Sequence, residues 1–220
     1  MKYEAKAWKE TEGACLRNFK EQAQIDSVNG ALALRSQIEK IIDQIWEEGF
    51  DGIYFIGIGG TYASSMQVEV YMRGRSKLPV FVENAAEFLT TGNKKFTNKS
   101  VVIISSVSGN TKEMVELVDR VHEKGAKVFS FIDNPGTILT QPNKQDYLIV
   151  YPMNEQLKFY MVANYLMYKN GEFDDYDRYN KEMEANLADV LVQVEKDSDE
   201  WAYEYAKNKV DFWAHLYKGS

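Results

Sequence analysis

The most informative segment of the chain is IYFIGIGGTYASS, residues 53–65. It opens with a short apolar run, residues 53–58, that is typical of a strand buried on both faces of a sheet. Glycines end this run, and a stretch of helical pattern, residues 61–73, comes directly after them. This order of strand, glycine-containing loop and helix predicts a parallel strand connected to a crossover helix.

The same order recurs in VVIISSVSGNTKE, residues 101–113, where the apolar run 101–105 leads into a helix over 111–123. Three further short apolar runs occupy residues 78–82, 128–132 and 147–150. Strands that alternate with helices indicate the α/β class. We therefore predict a flavodoxin-like three-layer α/β/α sandwich with a five-stranded parallel sheet, followed by C-terminal helices.

The regions outside this alternation suggest three segments. Residues 1–26 are polar and irregular, and Ser27 is a plausible N-cap of the first helix. We therefore expect an N-terminal arm over 1–26, the α/β domain over 27–170 and a helical extension over 171–220. The extension carries apolar and aromatic residues in a number typical of an interface, which predicts a homodimer; the aromatic ones include Trp201, Tyr203, Tyr205 and Trp213.

The composition narrows the class of protein. Hydrophobic residues make up 45% of the chain, which supports a packed core, and the net charge of −7 argues against nucleic acid as a partner. The single cysteine, Cys15, excludes a disulfide within the chain. The charged start MKYEAKAWKE does not suggest a signal peptide, and no apolar run approaches the roughly 18 residues of a membrane helix. We expect a soluble cytoplasmic protein that does not associate with a membrane.

The two loops that follow residues 57 and 105 are the expected ligand-binding segments. Ligands of open parallel sheets bind at the carboxyl ends of the strands. Glycines let the backbone approach an anion, and hydroxyls and helix N-termini donate hydrogen bonds to it. The alternative is that these residues are only N-caps and tight-turn glycines. The candidate phosphate- and sugar-binding residues are Gly59, Gly60, Thr61, Ser106, Ser108 and Thr111.

The pair GIGGTYASS and SSVSGNTKE resembles the signature of the sugar-isomerase (SIS) domain family, which includes the isomerase half of glucosamine-6-phosphate synthase. By this resemblance Thr61 matches a first-loop hydroxyl residue, and Ser106, Ser108 and Thr111 match second-loop residues. Val107 departs from the glutamine common in the synthase. The resemblance covers residues 27–150, with ENAAEF at 83–88 as a further match. It implies a sugar 6-phosphate, or its amine adduct, as ligand, and neither a cofactor nor a metal.

The later stretch GEFDDYDRYNKEMEANLADVLVQVEKDSDEWAYEYA, residues 171–206, resembles fructosamine- and glucoselysine-6-phosphate deglycases, which carry two SIS domains per chain. In that family the proton-transferring glutamate and histidine lie in the second domain. This sequence has no matching positions and stops where a second domain would begin.

Proton transfer between C1 and C2 of a sugar needs a base within hydrogen-bond reach. His122 lies about 16 Å along its helix from Thr111, at about 1.5 Å per residue, and is expected at the surface. His215 lies in a tail that the pattern does not place. The remaining candidates for catalysis are Glu83, Glu87 and Glu155.

Three functions stay open at this point. The chain is the phosphate-binding half of a phosphosugar isomerase or a deglycase of 6-phosphorylated Amadori compounds, or it is a non-catalytic module that binds or senses a phosphosugar. A dinucleotide-binding Rossmann domain is the third reading, because Gly57, Gly59 and Glu83 mimic its fingerprint. Against that reading, Tyr62 stands at the position of the third glycine.

Overall fold

The computed structural model describes residues 21–207 of the chain. Within this range, Ala31–Asp177 form one compact unit, and residues 21–30 and 178–207 belong to another. Cys15, Trp213 and His215, and the side chains of Trp201, Tyr203 and Tyr205, lie outside the described part. The homodimer argument from these aromatic residues therefore stays a prediction.

The α/β unit is built on a parallel sheet of five strands. In chain order these are β1 (Gly52–Gly57), β2 (Val80–Asn84), β3 (Ser100–Ser106), β4 (Lys127–Ile132) and β5 (Tyr147–Val150). The strands lie side by side in the order β2-β1-β3-β4-β5, and every neighbouring pair is parallel. The described helices are α1 (Glu21–Leu32), α2 (Arg35–Glu48), α3 (Gly60–Arg73), α4 (Ala85–Thr91), α5 (Lys112–Glu123), α6 (Glu155–Lys169) and α7 (Tyr176–Lys207).

Helices cover both faces of the sheet. On one face, α4 and α5 pack against alternate strand residues such as Tyr54, Val102 and Ile104. On the other face, Phe159 of α6 makes edge-to-face contacts with Phe55 and Phe131, with ring centroids 5.4 and 6.1 Å apart. Alternate residues of a strand point to opposite faces, so the apolar strands of the sequence are those of a doubly covered sheet. The predicted three-layer fold with five parallel strands is confirmed.

Most of the predicted strands and helices differ from the observed ones by a single residue at an end, and two larger differences have a physical explanation. Strand β2 begins at Val80 instead of residue 78, because Pro79 has no N–H to donate to a sheet ladder and the N–H of Val80 turns back to the carbonyl of Leu78 at 2.9 Å. Ser27 is not an N-cap: it lies inside α1, and the chain breaks its helical path between Leu32 and Arg35 instead. No helix within residues 21–207 is both long and apolar enough to span a membrane.

Candidate functional site

The candidate site lies where the chain changes direction in the sheet. From β1 the chain crosses to β2 on one side, whereas β3, β4 and β5 follow on the other side. The loops after β1 and β3 therefore diverge from neighbouring strands that lie about 4.8 Å apart. Ligands of open α/β sheets bind in the crevice that such a divergence leaves at the carboxyl edge. The two loops singled out from the sequence are the two that border this crevice.

The first loop turns sharply from β1 into α3. A Cβ atom on Gly57 would lie 2.6 Å from the backbone nitrogen of Tyr62, so only glycine fits. Gly59 has a φ of 59°, and the space above both Gly59 and Gly60 is open. The hydroxyl of Thr61 donates to the carbonyl of Ile58 and accepts from its N–H, both at 3.1 Å. Gly59 and Gly60 are exposed, and no side chain caps the first turn of α3, so the backbone N–H groups there are open to a ligand.

The second loop is held by its own hydroxyls. The N–H of Gly109 donates to Ser106 Oγ at 3.1 Å, and the N–H of Asn110 donates to Ser108 Oγ at 3.2 Å. Ser108 Oγ and Thr111 Oγ1 lie 3.1 Å apart and share one hydrogen. Each hydroxyl carries one proton, so a second proton of this pair can be donated to an anion above the loop. Ser106 is buried and shapes the loop, whereas Ser108 is exposed at its surface.

The hydroxyls of this loop are not helix caps. Thr111 occupies the N-cap position of α5, but its side chain makes no capping hydrogen bond. A serine or threonine cap would accept from an N–H of the second or third helical residue. The first turn of α5 therefore offers its N–H groups and the positive end of its dipole to a ligand.

The loop after β4 supports the second loop from the side. The side-chain amide of Asn134 donates to the carbonyl of Val107 at 2.6 Å, and Asn110 accepts from the N–H of Ile138 at 2.9 Å. Gly109 lies so close to this support that a Cβ atom would come within 2.1 Å of Thr137 Oγ1. The conformation of the loop is therefore fixed before any ligand arrives, which lowers the entropic cost of binding.

The three candidate carboxylates lie in different surroundings. Glu155, the first residue of α6, accepts from Ser64 Oγ at 3.2 Å and so lies beside the N-terminal part of α3. Glu83, on the edge strand β2, accepts from the side-chain amide of Asn93 at 2.7 Å. Glu87 is exposed in the first turn of α4. Of these three, only Glu155 has a contact in the structure with the helix that follows the first loop.

His122 lies at the opposite edge of the sheet. It is in the last turn of α5, and its Nε2 is 3.1 Å from Asp146 Oδ2 in the segment before β5. Asp146 also accepts from the N–H of Val128 at 2.8 Å, at the start of β4. The histidine therefore pairs at the amino edge. In the described part of the chain, no group of three or more His, Cys, Asp or Glu side chains is arranged to hold a metal ion.

Two charged residues near the crevice were not singled out from the sequence. Asp133 directly follows β4, and Lys158 is the fourth residue of α6; both are buried, the lysine fully. Asp133 could have been found by its place at the carboxyl end of a strand. Lys158 is marked in the sequence only as a cation within an apolar helical stretch, LKFYMVA, residues 157–163.

The fold and the loops together define an α/β domain with two loops rich in glycine and hydroxyl residues at its switch point. The profile of the SIS domain matches residues 50–169, and the chain belongs to this family. This agrees with the resemblance of the two loop sequences.

Curated relatives include two enzymes named glutamine–fructose-6-phosphate aminotransferase (isomerizing). The protein from Fusobacterium nucleatum is 24% identical over 165 residues, which cover 68% of this chain and 27% of that protein. The protein from Methanococcus maripaludis is 30% identical over 105 residues, which cover 48% and 17%. The chain thus spans about a quarter or less of the length of these relatives.

Solved structures show the same fold. A protein from Salmonella typhimurium classed as a phosphosugar isomerase has a TM-score of 0.68 and 24% identity, over 78% of this chain and 55% of that one. A Bacillus subtilis protein of the same class has a TM-score of 0.67 and 21% identity, over 79% and 57%. An Escherichia coli CFT073 protein in complex with A5P has a TM-score of 0.56 and 17% identity, over 72% and 90%.

Proposed function

We propose that this SIS domain binds a sugar 6-phosphate, or its amine adduct, with the phosphate held between the loops after β1 and β3. The observation that carries the proposal is the second loop. There Ser108 and Thr111 turn hydroxyls to the surface beside a helix N-terminus that no side chain caps. Membership of the SIS family supports a phosphosugar rather than another anion.

A neutral cradle suits an acidic protein. The chain carries a net charge of −7, so a phosphate is not drawn to it by overall charge. Backbone N–H groups and hydroxyls attract an anion only at short range, where their geometry matches its oxygens. Binding therefore depends on the shape of the two loops, which the close contacts at Gly57 and Gly109 hold in place.

The dinucleotide reading is not favoured. The sheet order β2-β1-β3-β4-β5 differs from the order typical of dinucleotide-binding folds, in which β1 is followed on its outer side by two strands and not one. The hydroxyls of the second loop have no part in a dinucleotide fingerprint.

Titration calorimetry tests the binding proposal. Glucose 6-phosphate and fructose 6-phosphate are expected to bind, and glucose and fructose to bind far more weakly, because the hydrogen bonds of the cradle go to the phosphate. Equal affinities for a sugar and its 6-phosphate would contradict a role for the two loops in holding phosphate. Thr90→Ala, which removes an exposed hydroxyl bonded only within α4, serves as a control variant with unchanged binding.

We further propose that this domain is the phosphate-binding half of an isomerase or of a deglycase of 6-phosphorylated Amadori compounds. Glu155 is the best of the three carboxylates for contact with the sugar, because Ser64 holds it beside the N-terminal part of α3. A non-catalytic binding or sensing module is the second candidate. It is favoured by His122, which pairs with Asp146 at the amino edge. Activity of the chain when combined with a second SIS domain separates the two.

We propose that the chain forms a homodimer and that it acts in the cytoplasm. Val190 and Val194, one turn apart on α7, are 53% and 55% exposed, and exposed apolar surface of this kind is typical of an interface. Light scattering measures the mass of the protein in solution and so tests the homodimer. A protein concentration of roughly tens of micromolar is high enough to populate a dimer with a micromolar dissociation constant. A strictly monomeric mass would count against it.

A further inference from the structure

A buried ion pair lies beneath the carboxyl edge of the sheet. Lys158 is fully buried in α6, and Asp133, at the end of β4, is 7% exposed. Lys158 Nζ lies 3.4 Å from Asp133 Oδ1 and donates to the carbonyl of Tyr151 at 2.8 Å. Burial lowers the pKa of Lys158, and the charge of Asp133 partly opposes that shift. Such a pair is costly to desolvate and needs a reason other than general stability.

Asp133 connects three parts of the carboxyl edge. Its backbone N–H donates to the carbonyl of Ser106, the last residue of β3, at 3.2 Å. Its carboxylate accepts from the N–H of Met153 at 2.9 Å and faces Lys158 of α6. The side chains of the pair therefore join the end of β4 to the segment between β5 and α6.

That segment has an unusual backbone. Met153 and Asn154 have φ values of 60° and 55°, and they are consecutive residues with side chains. Left-handed conformations are unfavourable for such residues and persist only where surrounding contacts impose them. The contacts from Asp133 to Met153 and from Lys158 to Tyr151 surround this segment, and Glu155 follows it directly.

We propose that Asp133 and Lys158 are positioning residues that hold the segment 151–154 in its left-handed turn, so that Glu155 faces the sugar of the bound ligand. This inference rests on the proposed function, in which Glu155 contacts the sugar. Without the pair, the turn relaxes and the start of α6 shifts away from Ser64. The loops after β1 and β3 keep their own hydrogen bonds. Loss of the pair therefore weakens the contact with the sugar part of the ligand and leaves the contacts with its phosphate unchanged.

The experiment compares glucose 6-phosphate with inorganic phosphate. The test variant is Asp133→Asn with Lys158→Met, which removes both buried charges together and leaves an acceptor for the N–H of Met153. The matched control is Asp43→Asn with Lys169→Met, which removes the ion pair between α2 and α6. Circular dichroism and thermal unfolding establish that each variant is folded. Should the test variant not fold, Asp133→Asn alone replaces it, because Lys158 can then lose its proton.

The test variant is expected to bind glucose 6-phosphate about tenfold more weakly, as for the loss of one hydrogen bond to a charged group. The test variant is expected to bind inorganic phosphate with the affinity of the wild type. The control variant is expected to keep the wild-type affinity for both glucose 6-phosphate and inorganic phosphate. Adding Glu155→Gln to the test variant is expected to cause no further loss, because the pair acts through Glu155. If removal of the pair loosened the structure generally, the test variant would lose affinity for both glucose 6-phosphate and inorganic phosphate. This result would overturn the inference.

Two other results would also overturn it. In the first, the single variant Glu155→Gln binds glucose 6-phosphate more weakly than the wild type, but the test variant binds it with the wild-type affinity. The pair then does not position Glu155, and the proposed function stands. If the wild type binds neither glucose 6-phosphate nor inorganic phosphate, the proposed function fails and the inference fails with it.

Discussion

Gly109 links the binding loop to its support. Its φ of 61° and the nearness of Thr137 leave no room for a side chain, and its carbonyl accepts from the N–H of Leu139 at 3.0 Å. Gly109 is therefore required for two reasons: its backbone is in the left-handed region, and the neighbouring Thr137 leaves no space for a Cβ atom. The shape of the anion cradle depends on this position more than on any hydroxyl in it.

Gly109→Ala is expected to destabilise the protein by more than the roughly 1–3 kcal/mol that a left-handed residue with a side chain costs, because the new Cβ also collides with Thr137. Urea unfolding measures the change. Gly136→Ala is the matched control: Gly136 has a φ of 73° but open space around its Cβ position, so it reports the conformational cost alone. Equal losses in the two variants would mean that the loop moves aside at no cost.

Ser108→Ala is expected to weaken glucose 6-phosphate binding by about 1.5–3 kcal/mol, because the lost hydrogen bond goes to a charged group. This corresponds to roughly tenfold to a hundredfold in affinity. Calorimetry checks it, with Thr90→Ala as the control. An unchanged affinity in the serine variant would place the phosphate elsewhere.

At the scale of elements, the strands could be predicted because both faces of the sheet are covered and each strand is an uninterrupted apolar run. The hydroxyl loops could be predicted because their residues are adjacent in sequence and follow such runs. The pairing of Asp133 with Lys158 could not, because the two residues lie on different elements and only the packing of α6 brings them together. Two local signals were misjudged: Pro79 lies inside the predicted run 78–82 and cannot donate to a sheet ladder, and Ser27 lies within a helix that begins at Glu21.

The docking of α6 on α2 includes a pH-sensitive contact. Lys169 Nζ donates to Asp43 Oδ1 at 2.8 Å, and Tyr165 donates to the same oxygen at 2.9 Å. The hydrogen bond from Lys169 is the main cause that lowers the pKa of Asp43 below its ordinary value of 3.8. A carboxylate with a lowered folded-state pKa stabilises the fold above its unfolded-state pKa, and the stabilisation is lost as pH falls through the folded-state value.

The free energy of unfolding of the wild type is therefore expected to exceed that of Asp43→Asn by a constant amount above about pH 5, and the difference is expected to shrink below about pH 4. Urea titrations at several pH values measure both proteins. Asp189→Asn, at an exposed position of α7, serves as the control. A difference that stays constant down to about pH 2 would show that Asp43 does not gain its stabilisation from its charge.

At the scale of the whole molecule, binding and chemistry are separable. The described α/β unit holds two loops suited to a phosphate and one carboxylate, Glu155, held beside them. Tight binding of the phosphate in ground and transition states alike does not accelerate a chemical step. Catalysis of proton transfer needs a positioned acid or base, and this contributes about 10²–10⁴-fold.

We therefore expect the 220-residue chain alone to bind a sugar 6-phosphate but to show no appreciable turnover. His122 pairs with Asp146 at the amino edge, and of the three candidate carboxylates only Glu155 contacts α3, the helix that follows the first loop. The assay is release of the amine and of glucose 6-phosphate from a 6-phosphorylated Amadori compound, with and without a second SIS domain joined to the chain. Activity that appears only with the second domain would support a divided site. Robust turnover by the chain alone, abolished by Glu155→Gln but not by Glu116→Gln on the exposed side of α5, would instead place the general base within this domain.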